Sequence, residues 1–215
     1  NLCLAGGVAL NCVANGKILQ SKIFDRIWIQ PAAGDAGGSL GAALAVWHLE
    51  NGNKRIVNPE DDMKGSYLGT EFSQEEIEKE LNLAGANFET LDYEELIKKT
   101  SVLISNEKVI GWFQGRMEFG PRALGARSIL ADPRSEKMQK NLNLKVKYRE
   151  SFRPFAPSIL RDDLQDWFNM NVDSPYMLFV ADINPEKRIE MTDHQKKLFG
   201  IDKLNIKRSE IPAVT

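Results

Sequence analysis

Residues 2–20, LCLAGGVALNCVANGKILQ, and 26–41, RIWIQPAAGDAGGSLG, decide the fold. Each opens on a short apolar run and passes through a glycine turn into a stretch with helical spacing. Leu10, Val13, Ala14 and Ile18 fall near one stripe, so the first segment predicts a strand over 2–5 and a helix from 8 to about 20. The second predicts a strand over 26–30 and a helix from about 39 to 50. Such βαβα alternation is the pattern of a layered α/β domain.

Outward from that pair, NGNKRIVNPEDDMKG (51–65) is polar and rich in Asn, Gly and Pro, and reads as a linker. Ser73 with Glu76 forms a capping box ahead of a helix carrying Ile77 and Leu81. Asp92 and Glu95 share that spacing ahead of Tyr93, Leu96, Ile97, Leu103 and Ile104. Both apolar stripes are expected in a core. VIGWF (109–113) reads as a buried strand, 135–142 as a short helix, and 155–160 and 176–183 as strands. A helix capped by Asp162 or Asp163 should present Leu164, Trp167 and Phe168, and the charged tail 184–210 is expected to be helical in part.

The 215 residues allow one large domain or two small ones with a proper core. A net charge of -2 and a pI near 5.8 supply no global positive field, so nucleic acid and anionic membrane are not expected partners. No apolar run is long enough to span a bilayer. Cys3 and Cys12 are the only cysteines, too few for a disulfide framework and without metal spacing. They predict a reduced, cytoplasmic setting and two buried small hydrophobes. The apolar start and the strand-like IPAVT at 211–215 read as interior segments of a longer chain.

Chemistry concentrates in 115–158. Arg116, Arg122, Arg127, Arg134, Lys145, Lys147, Arg149 and Arg153 are interleaved there with Gly, Pro and Phe instead of lying along one helical face. A guanidinium holds phosphate or carboxylate through two parallel hydrogen bonds, so cations gathered by tight turns predict a small multivalent anion. The competing reading is a set of surface charges paired with Glu118, Asp132, Glu136 and Glu150.

Gly6-Gly7 sits between strand and helix, where unpaired backbone N–H groups favour an anion and a bare turn lets a nucleotide approach. Paired glycines also mark plain tight turns. Asp35, among the glycines of GDAGGSLG, suits either a divalent metal or a helix cap. His48 and His194 are far apart and lack a ligand partner at i+3 or i+4, so neither is expected in catalysis.

Together, LAGGVALNCVANGKIL (4–19), PAAGDAGGSLGAAL (31–44), GRMEFGPRALGARSILADPR (115–134) and KYRESFRPFAPS (147–158) resemble the NodU/CmcH-type O-carbamoyltransferases, in order and spacing, over nearly the whole chain. The resemblance implies an α/β architecture: the end of an actin-like ATPase domain, residues 1–62, followed by most of a YrdC-like domain, residues 63–215. It implies that carbamoyl phosphate and ATP give carbamoyl adenylate, which carbamoylates a hydroxyl of a sugar or sugar-containing natural product. Gly6, Gly7 and Asn11, with Gly34, Gly37 and Gly38, then match the adenosine-side turns. Asp35 matches a metal-binding aspartate, the metal being iron or magnesium. Arg116, Arg122, Lys147, Arg149 and Arg153 fall in the motifs that line the carbamoyl phosphate site.

The family's His-x-x-x-His metal pair is missing from this chain, so the remaining metal ligands are expected outside it and activity is not expected from it alone. The implied partners are carbamoyl phosphate and a hydroxyl-bearing small molecule, with room for a homodimer. The competing function is a non-catalytic nucleotide- or anion-binding module acting through a partner chain. Threonylcarbamoyl transfer to tRNA fits the chemistry but not the acidic balance.

Overall fold

The computed structural model describes residues 1–214. In chain order the elements are β1 (Leu2–Leu4), α1 (Cys12–Ser21), β2 (Ile27–Ile29), α2 (Asp35–Ala45), α3 (Gln74–Leu83), α4 (Tyr93–Ser105), β3 (Ile110–Phe113), β4 (Arg127–Leu130), α5 (Met138–Asn141), α6 (Leu164–Trp167), α7 (Asp193–Lys196) and α8 (Gly200–Leu204). They form an α/β fold with two two-stranded sheets, β1 with β2 and β3 with β4. The chain divides into two compact units. The first takes Asn1–Glu89, Trp112–Ser128 and Ser174–Val180, and the second takes Thr90–Gly111, Ile129–Asp173 and Ala181–Thr215.

In the first unit β1 and β2 run parallel, with Leu2 opposite Ile27 and Leu4 opposite Ile29. The helix expected over 8–20 is divided: Gly7–Leu10 make a 3-10 turn, and α1 starts only after Asn11. Asn11 lies at φ -77°, ψ 86°, outside the helical region, and its Oδ1 accepts the Ala14 N–H at 3.1 Å as an N-cap. α2 starts at Asp35 instead of near Ser39. Gly34 is its N-cap and the Asp35 carboxylate complements the dipole in its first turn. Gly37 and Gly38, read as part of a turn, are thus already helical, and a π-turn at Val46–Glu50 carries the run to its expected end.

Ala9, Ile29, Ala33, Tyr176 and Leu178 are the buried centre of this unit, flanked by Leu4, Leu10, Ile27, Met63, Leu124 and Phe179. The stretch 176–183 is not the expected strand: Met177 sits at φ 54°, which breaks an extended run, and the chain there makes only an isolated bridge from Ile183 to Phe168. The end of the expected linker is also ordered. Asp61 accepts the N–H groups of Met63 and Gly65, each at 3.0 Å, and Tyr176 donates its hydroxyl to the same carboxylate. The Ser73–Glu76 capping box forms as expected, in both directions. Cys3 is exposed and Cys12 half-buried, so neither is the buried hydrophobe expected.

In the second unit Asp92 caps α4, accepting the Glu95 N–H at 2.8 Å. The apolar stripes of α4 here and of α3 in the first unit were expected in a core, yet neither helix contains a buried residue: Leu81, Leu103 and Ile104 are half-buried, and Ile77, Leu96 and Ile97 are exposed. VIGWF is not the buried strand expected: Ile110 and Trp112 are half-buried, and Val109, Gly111 and Phe113 are exposed. Residues 155–160 are irregular, since Pro154 and Pro157 remove ladder donors. The expected helix over 135–142 is realised as α5 running into a π-turn at Leu142–Val146. Asp163 holds the N-cap position of α6 without a side-chain cap bond. Met138, Leu142 and Ala213 form the second core, against Ala131 and Phe155. Of the strand-like 211–215, Ile211–Val214 are turn and loop, and Thr215 lies outside the described residues.

Candidate active site

The first unit gathers three turns. Gly6 is at φ 87°, a backbone conformation that costs an L side chain, and a Cβ on Gly6, Gly7 or Gly38 would meet nothing within 4 Å. Space is therefore open at those three positions. Gly37 differs: a Cβ there would collide with the Ala32 carbonyl oxygen and lie 2.7 Å from Gln30 Oε1, so close packing of α2 on its own entry turn requires glycine whatever binds nearby. A Cβ on Gly34 would touch Leu10 at 3.5 Å.

The loop of residues 119–126 reaches these turns. Arg122 donates from Nη2 to the Leu10 carbonyl at 3.2 Å, and Gly120 approaches Ala32 so closely that a Cβ would lie 3.0 Å from the alanine Cβ. The Nε of Arg122 is buried with no hydrogen-bond partner among the described residues. The structure thus sets Arg122 beside the Gly6-Gly7 turn. Asn11 is occupied as the α1 cap, and Asn15, which the sequence did not single out, donates to the carbonyls of Ala9 (2.8 Å) and Leu178 (3.0 Å) and so fixes the turn from beneath.

Asp35 is exposed at the start of α2. Among the described residues no three His, Cys, Asp or Glu side chains form a metal-holding group. Asp35 can therefore offer one carboxylate to a metal and no complete site.

Glu118 organises the arginine loop. Its Oε1 accepts the N–H groups of Leu124 (2.6 Å), Ala126 (2.9 Å) and Arg127 (3.2 Å), and its side chain is wholly buried, with Arg127 Nε 4.0 Å from Oε2. Burial pushes the Glu118 pKa up, but the backbone donors, led by Leu124, outweigh it and hold the carboxyl below its ordinary range. In the sequence, Glu118 figured only in the competing reading, as a surface ion partner. Its signal was position: it is the only acid between Arg116 and Asp132, inside a run rich in Gly and Arg.

The second unit carries Lys147, Arg149 and Arg153. Arg149 donates from Nε to Asn143 Oδ1 at 2.6 Å, and its guanidinium carbon lies 5.1 Å from the centre of the Phe155 ring. Asn143 is fully buried in the π-turn and donates from Nδ2 to the carbonyls of Ser151 (3.1 Å) and Arg153 (2.8 Å). Lys147 closes the π-turn through its N–H on the Leu142 carbonyl and leaves its side chain exposed. Sequence reasoning passed over Asn143, whose signal was a polar residue flanked by leucines in LNL.

The surface-pairing reading holds for some cations. Arg134 grips Asp132 through Nε and Nη2, Arg116 lies 3.4 Å from Glu71, and Arg153 lies 3.6 Å from Glu150. The last two pairs are half-exposed on both sides, where an ion pair contributes at most about 1 kcal/mol and yields readily to a better ligand. Arg122, Lys147 and Arg149 have no carboxylate partner among the described residues. Arg116 also lines a concavity with Tyr67, Gln114, Gly115 and Ala126.

The family descriptions "Carbamoyltransferase N-terminus" and "Carbamoyltransferase C-terminus" match residues 1–44 and 101–215. With its α/β fold and its basic loops, the chain belongs to the carbamoyltransferase family. It is 57% identical over 217 residues to an uncharacterized Synechocystis protein, sll1178, which covers all of this chain and 35% of that protein. It is 45% identical over 190 residues to nodulation protein NolO of Bradyrhizobium diazoefficiens (86% of this chain, 34% of that protein). To nodulation protein U of Rhizobium tropici it is 36% identical over 186 residues, covering 86% and 30%. The chain spans about a third of the length of the curated relatives it matches. No helix among the described residues is long and apolar enough to cross a membrane.

Proposed function

We propose that this chain is part of an ATP-dependent O-carbamoyltransferase, with residues 1–62 ending an actin-like ATPase domain and 63–215 forming most of a YrdC-like domain. Carbamoyl phosphate, ATP and one water are converted to carbamoyl adenylate, phosphate and pyrophosphate, and the carbamoyl group then passes to a hydroxyl of a sugar or natural product with AMP as the leaving group. The observation that carries this reading is the pattern of pairing within a carbamoyltransferase sequence. Arg122, Lys147 and Arg149 stand without carboxylate partners while Arg134, a few residues away, is fully engaged by Asp132.

Arg116, Arg122, Lys147, Arg149 and Arg153 bind anionic oxygens and offset the charge that develops as phosphate departs. The open backbone at Gly6, Gly7 and Gly38 suits close approach of a nucleotide, and Asp35 supplies one carboxylate to a divalent metal, iron or magnesium. Bound there, such a metal neutralises nucleotide oxygens. The working compartment is the cytoplasm.

The test is product analysis. Protein carrying this chain should release pyrophosphate from ATP only when carbamoyl phosphate is present, and AMP as the carbamoyl group passes on to a hydroxyl acceptor or to water. ADP as product, or ATP turnover indifferent to carbamoyl phosphate, contradicts the reading. Tight binding of both ligands without turnover points instead to a non-catalytic module.

A further inference from the structure

We propose that Asn143 is a positioning residue that aims the Arg149 guanidinium at the anion, an inference that rests on Arg149 binding carbamoyl phosphate. Asn143 is fully buried, and both ends of its amide are committed. Its Oδ1 takes the Arg149 Nε–H at 2.6 Å, while Nδ2 donates to Ser151 O at 3.1 Å and Arg153 O at 2.8 Å. The partners fix which end is which: a guanidinium can only donate and the two carbonyls can only accept. The Asn143 carbonyl also accepts the Arg149 backbone N–H at 2.9 Å.

One side chain therefore pins residues 149, 151 and 153, the stretch that carries two of the candidate cations. Anchoring Arg149 through Nε leaves its two terminal NH2 groups for a ligand, and Phe155 backs the guanidinium plane. A long side chain that would otherwise sample many rotamers is held in one orientation before ligand arrives, so less ordering is left for binding to impose. Aspartate cannot substitute. It keeps the acceptor toward Arg149 but turns a second oxygen on the Ser151 and Arg153 carbonyls.

The experiment is a double-mutant cycle in the intact protein, titrating freshly dissolved carbamoyl phosphate by calorimetry. Asn143→Leu should weaken Kd about 10-fold or more in the wild-type background, as expected for losing the fixed geometry of a charge-assisted contact, and under about 3-fold in an Arg149→Ala background. Thermal stability should drop in both backgrounds, since the Ser151 and Arg153 carbonyls lose their donor in each, while the affinity loss is confined to the background that retains Arg149, which separates positioning from general damage. Equal affinity losses with and without Arg149 overturn the proposal. If Arg149→Ala alone leaves affinity unchanged, Arg149 is not an anion ligand, and this inference falls with that part of the functional reading. Loss with Arg149→Ala but none with Asn143→Leu overturns the positioning role alone. Should Asn143→Leu fail to fold, Asn143→Ala, which is smaller and likewise lacks an acceptor for Arg149, carries the same cycle with the same outcomes.

Discussion

Glu118 Oε1 accepts the Leu124 N–H at 2.6 Å, and two further backbone donors, from Ala126 and Arg127, converge on the same oxygen. A wholly buried carboxylate thus serves as the hub of the loop that bears Arg122. Glu118→Ala leaves three donors without an acceptor and should destabilise the fold by about 2–4 kcal/mol, more than Glu118→Gln, which keeps an acceptor oxygen. Urea denaturation of the two variants measures this, and equal losses would contradict the hub role.

Acid should weaken the structure through named groups. Asp132 is held below its ordinary 3.8 chiefly by hydrogen bonding to Arg134, and Glu118 below its ordinary 4.5 because backbone donors outweigh burial. Depressed carboxyls stay ionised in the folded chain while the unfolded chain takes up protons. Stability from these groups is therefore complete above about pH 4.5 and is lost as pH falls through the lower folded values. Melts from pH 7 to 3 should be flat at first and then fall. Glu118→Gln should shrink that fall.

Gly37 and Gly38 are adjacent in α2 and should respond oppositely to alanine. At Gly38 the space is open and alanine removes about 1 kcal/mol of helix-propensity cost, whereas at Gly37 the new Cβ meets the Ala32 backbone and costs about 1–3 kcal/mol. Thermal melts of the two single variants compare them directly. Similar shifts would contradict the packing described for α2.

Some of this was legible from pattern alone. The Ser73–Glu76 box and the β1–α1–β2–α2 order depend on local spacing, which sequence records directly. The break at Asn11 was missed because the stripe of Leu10, Val13 and Ile18 runs through it, while the start of α2 was missed because helical glycines look like turn glycines. Arg122 and Arg149 stood out by residue type. Glu118 and Asn143 did not, since their partners are backbone groups brought near by the fold, and backbone leaves no mark in the sequence.

Tyr176 ties the end of the expected linker to the first core, donating to Asp61 and accepting the Gly65 N–H at 3.2 Å. Burial first, then the Asp61 hydrogen bond and charge, push its pKa above the ordinary 10.0. A raised phenol contributes stability that is full below pH 10 and lost as pH rises further. Tyr176→Phe should cost about 1–2 kcal/mol at neutral pH by stripping a buried-side partner from Asp61. The variant should also lose the alkaline part of the pH dependence, and full retention of that limb would contradict the assignment.

On the proposed reading, the arginines of the basic loops hold carbamoyl phosphate. Calorimetric titration of the chain with that ligand, beside Arg149→Ala and Arg153→Ala, tests it most directly. Each substitution removes a charge-assisted contact and should weaken Kd about 10-fold or more. Affinity unchanged in both variants would contradict the account.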